Sequence, residues 1–170
     1  QNFVDGMTTV DFGSNILVSS SRVITATRLS ANIFIETCAA VGARNVTVKN
    51  AAPGGGSALL TNAFTIWNPG PTLTGLNPGV GMRGQSLSVN VTGTNFIAGT
   101  TTINFGTSVT LNAFEVSSLA EANANITIPI GSAPGMRDVS INNPPPGGGT
   151  ATFSGAFSII NPAPTIAKVT

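Results

Sequence analysis

Histidine and tyrosine are missing from this chain altogether. Without histidine it lacks the commonest general base, the usual partner of a nucleophilic serine and the commonest metal ligand. A single cysteine, Cys38, excludes an internal disulfide and a cysteine-rich zinc site. Charge is also scarce. Only 8% of the residues are charged, against about 25% in an average soluble domain. Seven Lys plus Arg against six Asp plus Glu leave a net charge of +1, with no basic patch for a phosphate backbone. No apolar run approaches the ~18 residues of a membrane helix, although 41% of the residues are hydrophobic. No basic, apolar, small-residue leader opens the chain, so it reads as mature or as cut from something longer. Neither nucleic acid nor membrane insertion is expected, and no cofactor or metal.

Glycine and proline are plentiful, at 20 and 11 residues, and Ser, Thr and Asn supply the polar surface that charge does not. The chain is also self-similar. Thr8–Gly13 (TTVDFG) matches Thr101–Gly106 (TTINFG), and Gly42–Asn50 matches Gly135–Asn143. Pro53–Ala58 matches Pro146–Ala151, and Asn68–Thr72 matches Asn161–Thr165. The offset is 93 residues throughout, without a gap, and over a third of the aligned pairs are identical. Solenoid units run about 20–50 residues, so a period of this length indicates a tandem array of domains.

Within each unit the hydrophobic pattern has period two, which indicates half-buried strands. Leu87, Val89 and Val91 alternate with Ser88, Asn90 and Thr92. Ile103 with Phe105, Ala124 with Ile126 and Ile128, Val139 with Ile141, and Phe157 with Ile159 repeat the pattern. Gly and Pro clusters separate these runs at the spacing of a sandwich or barrel. No stretch shows helical periodicity with caps; the nearest candidate, Ser117–Asn123, is short and reads as a loop or one turn. The fold class expected is all-β. Phe12 and Phe105, Phe64 and Phe157, and Ile33 and Ile126 are expected to be equivalent buried positions.

The string PTLTGLNPGVGMRGQSLSVNVTGTNF, followed by TTINFG, ANITIPIGSAPGMRDVSINNPPPGG and GAFSI, resembles an IPT/TIG domain. The resemblance covers all of the second unit and the back two-thirds of the first. It implies tandem immunoglobulin-like β-sandwiches in a modular, usually extracellular setting, and it carries no catalytic residues. It divides the chain into an incomplete domain over residues 1–69, lacking its first strands, and a complete domain over 70–162. Residues 163–170 would be the opening strand of a further unit or a donor strand.

Several motifs have a bland reading that outweighs a functional one. Gly79–Gly84 spells GxGxxG but follows Pro78 and precedes a strand, so it reads as a tight loop between the first two strands. The loops Pro53, Gly54, Gly55, Gly56 and Pro144, Pro145, Pro146, Gly147 recur at one place in each unit. They lack the Lys of a phosphate loop. They read as strand connections and as candidate interaction loops. Arg44 and Arg137 share one position and read as structural arginines bonding loop carbonyls or a carboxylate. Asn45, Asn90 and Asn125 head N-x-Thr triplets on predicted solvent faces. Cys38 reads as a free, partly buried thiol. The carboxylates Asp5, Asp11, Glu36, Glu115, Glu121 and Asp138 do not recur between units, which argues against a calcium site or a glycosidase pair.

The expectation is therefore a non-enzymatic structural module of an extracellular bacterial fibre, filament, stalk or adhesin. Its partners would be copies of itself or neighbouring repeat domains, and secondarily glycans or cell-surface components. Low charge and Pro-bracketed linkers suit a semi-rigid rod. Pro164, Thr165, Ile166, Ala167, Lys168 and Val169 form a candidate assembly strand that could complement the first unit of a neighbouring copy. The alternative is a spacer or carbohydrate-binding accessory of a secreted enzyme.

Overall fold

The computed structural model describes residues 2–166. They contain strands and no helix. The chain divides into two compact units between Trp67 and Asn68. That boundary lies two residues before the one expected, because Asn68 and Pro69 are hydrogen-bonded into the second unit.

The first unit contains β1 (Thr8–Asp11), β2 (Ile16–Thr25), β3 (Arg28–Ile35), β4 (Gly42–Asn50) and β5 (Gly56–Ile66). One sheet has the order β1-β4-β5, and β2 and β3 form a separate hairpin. The second unit contains β6 (Thr72–Asn77), β7 (Val80–Met82), β8 (Ser86–Thr94), β9 (Thr102–Asn104), β10 (Thr110–Val116), β11 (Glu121–Thr127), β12 (Gly135–Asn143) and β13 (Gly149–Ile160). Its two four-stranded sheets have the orders β10-β11-β8-β6 and β7-β13-β12-β9.

Alternation builds the core of the second unit. Val89 pairs across β8–β11 with Ala124, and Val91 with Ala122, so one face of that sheet is continuously apolar. In the other sheet Ile141 lies between Ile103 and Ala151. The inward residues of both sheets join one buried cluster, in which Val89, Val91, Ile126, Val139, Ile141 and Phe157 are fully buried. Phe105 meets Phe157 edge-on, with ring centroids 5.6 Å apart, an arrangement aromatic quadrupoles favour.

One sequence expectation needs correction here. The GxGxxG stretch is more than a loop, because Val80–Met82 forms β7 and pairs in parallel with β13. The chain crosses from one sheet to the other within these residues. Gly81 permits it, since a Cβ there would come within 2.5 Å of Ile128 Cδ1. Of the two readings of Ser117–Asn123, the structure has the loop, over residues 117–120, and β11 begins at Glu121.

Positions at the 93-residue offset make matching contacts in the first unit. Phe12 meets Phe64 edge-on at 5.4 Å. The β4–β5 ladder slips between Arg44 and Val46, as the β12–β13 ladder does between Arg137 and Val139. β1 to β5 thus correspond to β9 to β13. Among the described residues nothing in the first unit corresponds to β6, β7 or β8. In the second unit β8 covers the free edge of β11, and β7 covers that of β13. The matching edges of β3 and β5 have no partner strand among the described residues. Packing suffers accordingly. Phe12, Ile33 and Phe64 are half-buried, so they are not equivalent in burial to Phe105, Ile126 and Phe157. Among the described residues, only Ile16 and Ile66 are buried hydrophobics in this unit.

Candidate functional site

The most elaborate polar arrangement lies where the chain enters the second unit. Asn143 ends β12 and is 1% exposed. A buried amide must find partners for both its oxygen and its two N–H groups. Its Oδ1 accepts from Thr101 Oγ1 at 2.6 Å. Its Nδ2 donates to Pro69 O at 2.9 Å and to Asn95 O at 2.8 Å. Thr101 Oγ1 in turn accepts from the Ile97 amide at 2.6 Å. Asn95, held at φ 61°, donates its Nδ2 to Gly70 O at 2.8 Å.

The Pro144–Gly148 loop completes the grip. The Asn68 amide donates to Pro146 O at 2.8 Å, and the Gly148 amide donates to Asn68 O at 2.7 Å. Asn68 Nδ2 donates to Pro144 O at 2.8 Å. Glycine is required at 148, since φ is +66° and a Cβ would overlap the Asn143 carbonyl oxygen. The residues Asn68–Gly70 are therefore bound by the second unit as an extended peptide would be.

The first unit has the same receptor residues. Thr8 Oγ1 donates to Asn50 Oδ1 at 2.6 Å and accepts from the Val4 amide at 2.7 Å. Asn50 Nδ2 donates to Asn2 O at 2.9 Å. Around Asn50 lies a cleft of about 340 Å³ whose walls include Asn2, Phe3, Val48, Gly54 and Gly55. An adjoining cleft of about 300 Å³ shares Asn50, Gly54 and Gly55 and reaches Ala51 and Pro53.

The loop Pro53, Gly54, Gly55 and Gly56 thus borders an open cleft, while Pro144, Pro145, Pro146 and Gly147 border a filled one. Arg44 and Arg137 lie elsewhere. Arg44 Nη2 donates to Ala40 O and Arg137 Nη2 to Ala133 O. Arg137 also donates to Met136 O at 2.9 Å and to Thr107 O at 3.4 Å, whereas Arg44 Nε is buried without a partner. Pro164, Thr165 and Ile166 are exposed and lie outside every strand. Ala167, Lys168 and Val169 fall outside the described residues. Cys38 is exposed rather than partly buried, because it sits in the turn after β3 with its Sγ donating to Glu36 Oε2. Asn45, Asn90 and Asn125 are exposed on strands. Among the described residues no three His, Cys, Asp or Glu side chains gather to hold an ion. No described helix is long and apolar enough to cross a membrane.

Sequence reasoning picked the loops but missed Asn50, Asn143, Thr8 and Thr101. Their recurrence at the offset, with an Asn ending a strand beside a Pro-Gly loop, was the available signal. It also missed a cleft of about 560 Å³ between β9 and β10, where Leu111, Phe114 and Glu115 face Thr102 and Ile103. No known protein-family profile matches the chain, and no curated protein matches it as a relative.

Proposed function

We propose that this chain is a non-enzymatic structural module built of tandem immunoglobulin-like β-sandwich repeats of the IPT/TIG type. Its place is an extracellular bacterial fibre, stalk or adhesin, and its partners are copies of itself or neighbouring repeats. One observation carries the reading. The segment Asn68–Gly70 is clasped by side chains and loop amides whose counterparts recur in the first unit. Such a clasp anchors the segment that opens a unit within that unit's own fold, which suits load-bearing arrays. The carboxylates do not recur between the units, which fits a role without acid–base chemistry.

Surface labelling tests the setting. An antibody against the second unit should decorate intact, unpermeabilised source cells or the fibres they shed. Labelling that requires permeabilisation would contradict an extracellular role. A carbohydrate-binding accessory is the second reading, and the cleft beside Phe114 and Glu115 favours it. Glycan-array binding that disappears in Phe114→Ala would establish that reading in place of the first.

A further inference from the structure

The first unit carries, around two adjoining clefts, the counterparts of the groups that hold Asn68–Gly70 in the second unit. In the second unit the acceptors for Asn68 are the carbonyls of Pro144 and Pro146. The donors are Gly148 to Asn68 O, Asn143 to Pro69 O and Asn95 to Gly70 O. Moved by the offset, these groups become Ala51 O, Pro53 O, Gly55 N, Asn50 Nδ2 and Asn2 Nδ2. All five residues line the two adjoining clefts. Among the described residues Asn50 Nδ2 donates once, where Asn143 Nδ2 donates twice. Its remaining N–H corresponds to the one that Pro69 O accepts.

The chemistry of the receptor selects its occupant. Proline has no N–H, so an Asn-Pro-x-Pro segment offers carbonyls at its proline positions and donors only at Asn and x. By the offset, the clefts present donors opposite the carbonyls of the Asn, the first Pro and x, and carbonyls opposite the N–H groups of the Asn. The chain contains a second such segment, Asn161-Pro162-Ala163-Pro164, followed by Thr165 and Ile166 as Pro71 is followed by Thr72 and Leu73. Residues 161–166 are exposed and belong to no strand, with Asn161 Oδ1 accepting from Arg83 at 3.1 Å.

We infer that the Asn2–Asn50–Gly55 cleft of one copy binds Asn161–Pro164 of a second copy, reproducing the junction of Asn68–Pro71 with the second unit. The inference rests on the reading of the chain as an array-forming module, and it supplies the contact. The two surfaces differ, so the association is head to tail and open-ended.

Sedimentation velocity on the full chain, over a wide concentration range, should show an open series of oligomers. A variant ending at Ile160 should be monomeric. Asn161→Ala, which removes one side-chain hydrogen bond, should weaken association about five- to tenfold. An acetylated peptide of residues 160–170, added to the shortened variant, should shift the amide resonances of Asn50, Gly54 and Gly55 and leave Gly147 and Gly148 in place. A full chain that stays monomeric overturns the inference, as does a peptide that moves none of those resonances. So does a shortened variant that associates like the full chain, which would assign the contact to the exposed Leu59 and Leu60. These outcomes are independent of where the protein resides, so failure here leaves the surface-labelling result intact.

Discussion

At the scale of single residues, the two asparagines that end β4 and β12 separate burial from identity. Asn143 is buried and makes three side-chain hydrogen bonds, while Asn50 is half-buried and makes two. Truncating a buried, fully bonded amide strands its former partners, at about 1–3 kcal/mol for each group left without one. Asn143→Ala should therefore destabilise the second unit by about 2–4 kcal/mol. Asn50→Ala should cost the first unit about half as much or less, because Asn50 is itself half-buried and its acceptor residue Asn2 is exposed. Urea midpoints of the two variants decide, and equal losses would show that burial does not set the difference. The phenylalanines behave alike. Phe105→Ala should cost about 3–5 kcal/mol, and Phe12→Ala clearly less, since its ring is half exposed already.

At the scale of elements, period-two alternation made most of the strands and the inward face of the second unit legible. Every residue from Val89 to Ile159 expected inside that unit is buried there. The alternation could not reveal β7. Three residues are too few to show a period, and Pro78 with three nearby glycines reads as a loop. Its pairing is set by the parallel register with Ser158–Ile160, which is non-local information. Nor could alternation show how poorly the first unit is covered, because equal sequence does not confer equal surroundings. The candidate site was half legible. The Pro-Gly loops stood out by composition, but their asparagine partners became meaningful only when folding placed them beside the entering chain.

Hydrogen exchange measures the same asymmetry in strand pairing. β11 is bonded on both sides, by β10 and β8, whereas among the described residues β3 is bonded only by β2. Amides of Asn125 and Ala124 should outlast those of Asn32 and Ala31 by orders of magnitude, since edge strands open locally at little free-energy cost. Equal protection would mean that the free edge of β3 is covered in solution. The outer face of the β2–β3 hairpin differs too. Leu17 stands opposite Phe34, 56% and 61% exposed, where the second unit pairs Thr110 with Thr127. Leu17→Thr with Phe34→Thr should lower dye binding to exposed apolar surface. Stability should change by less than about 1 kcal/mol, the range of such cross-strand pairs.

At the scale of the whole molecule, the two units should not unfold together. The core of the first, among its described residues, is not well filled. Its inward residues Phe12, Ile33, Val46, Val48 and Phe64 are only half-buried, while their counterparts in the second unit belong to one buried cluster. Free energy follows apolar area removed from water, at about 25 cal/mol per Å². The first unit therefore sits near the limit of stability and the second well within it. Calorimetry should show a broad, low-enthalpy transition before a sharp one, and Phe105→Ala should move only the second. The early transition should also shift upward on adding the 160–170 peptide, because a ligand that binds only the folded unit stabilises it by mass action. A single transition displaced as a whole by Phe105→Ala would show instead that the units fold as one cooperative body.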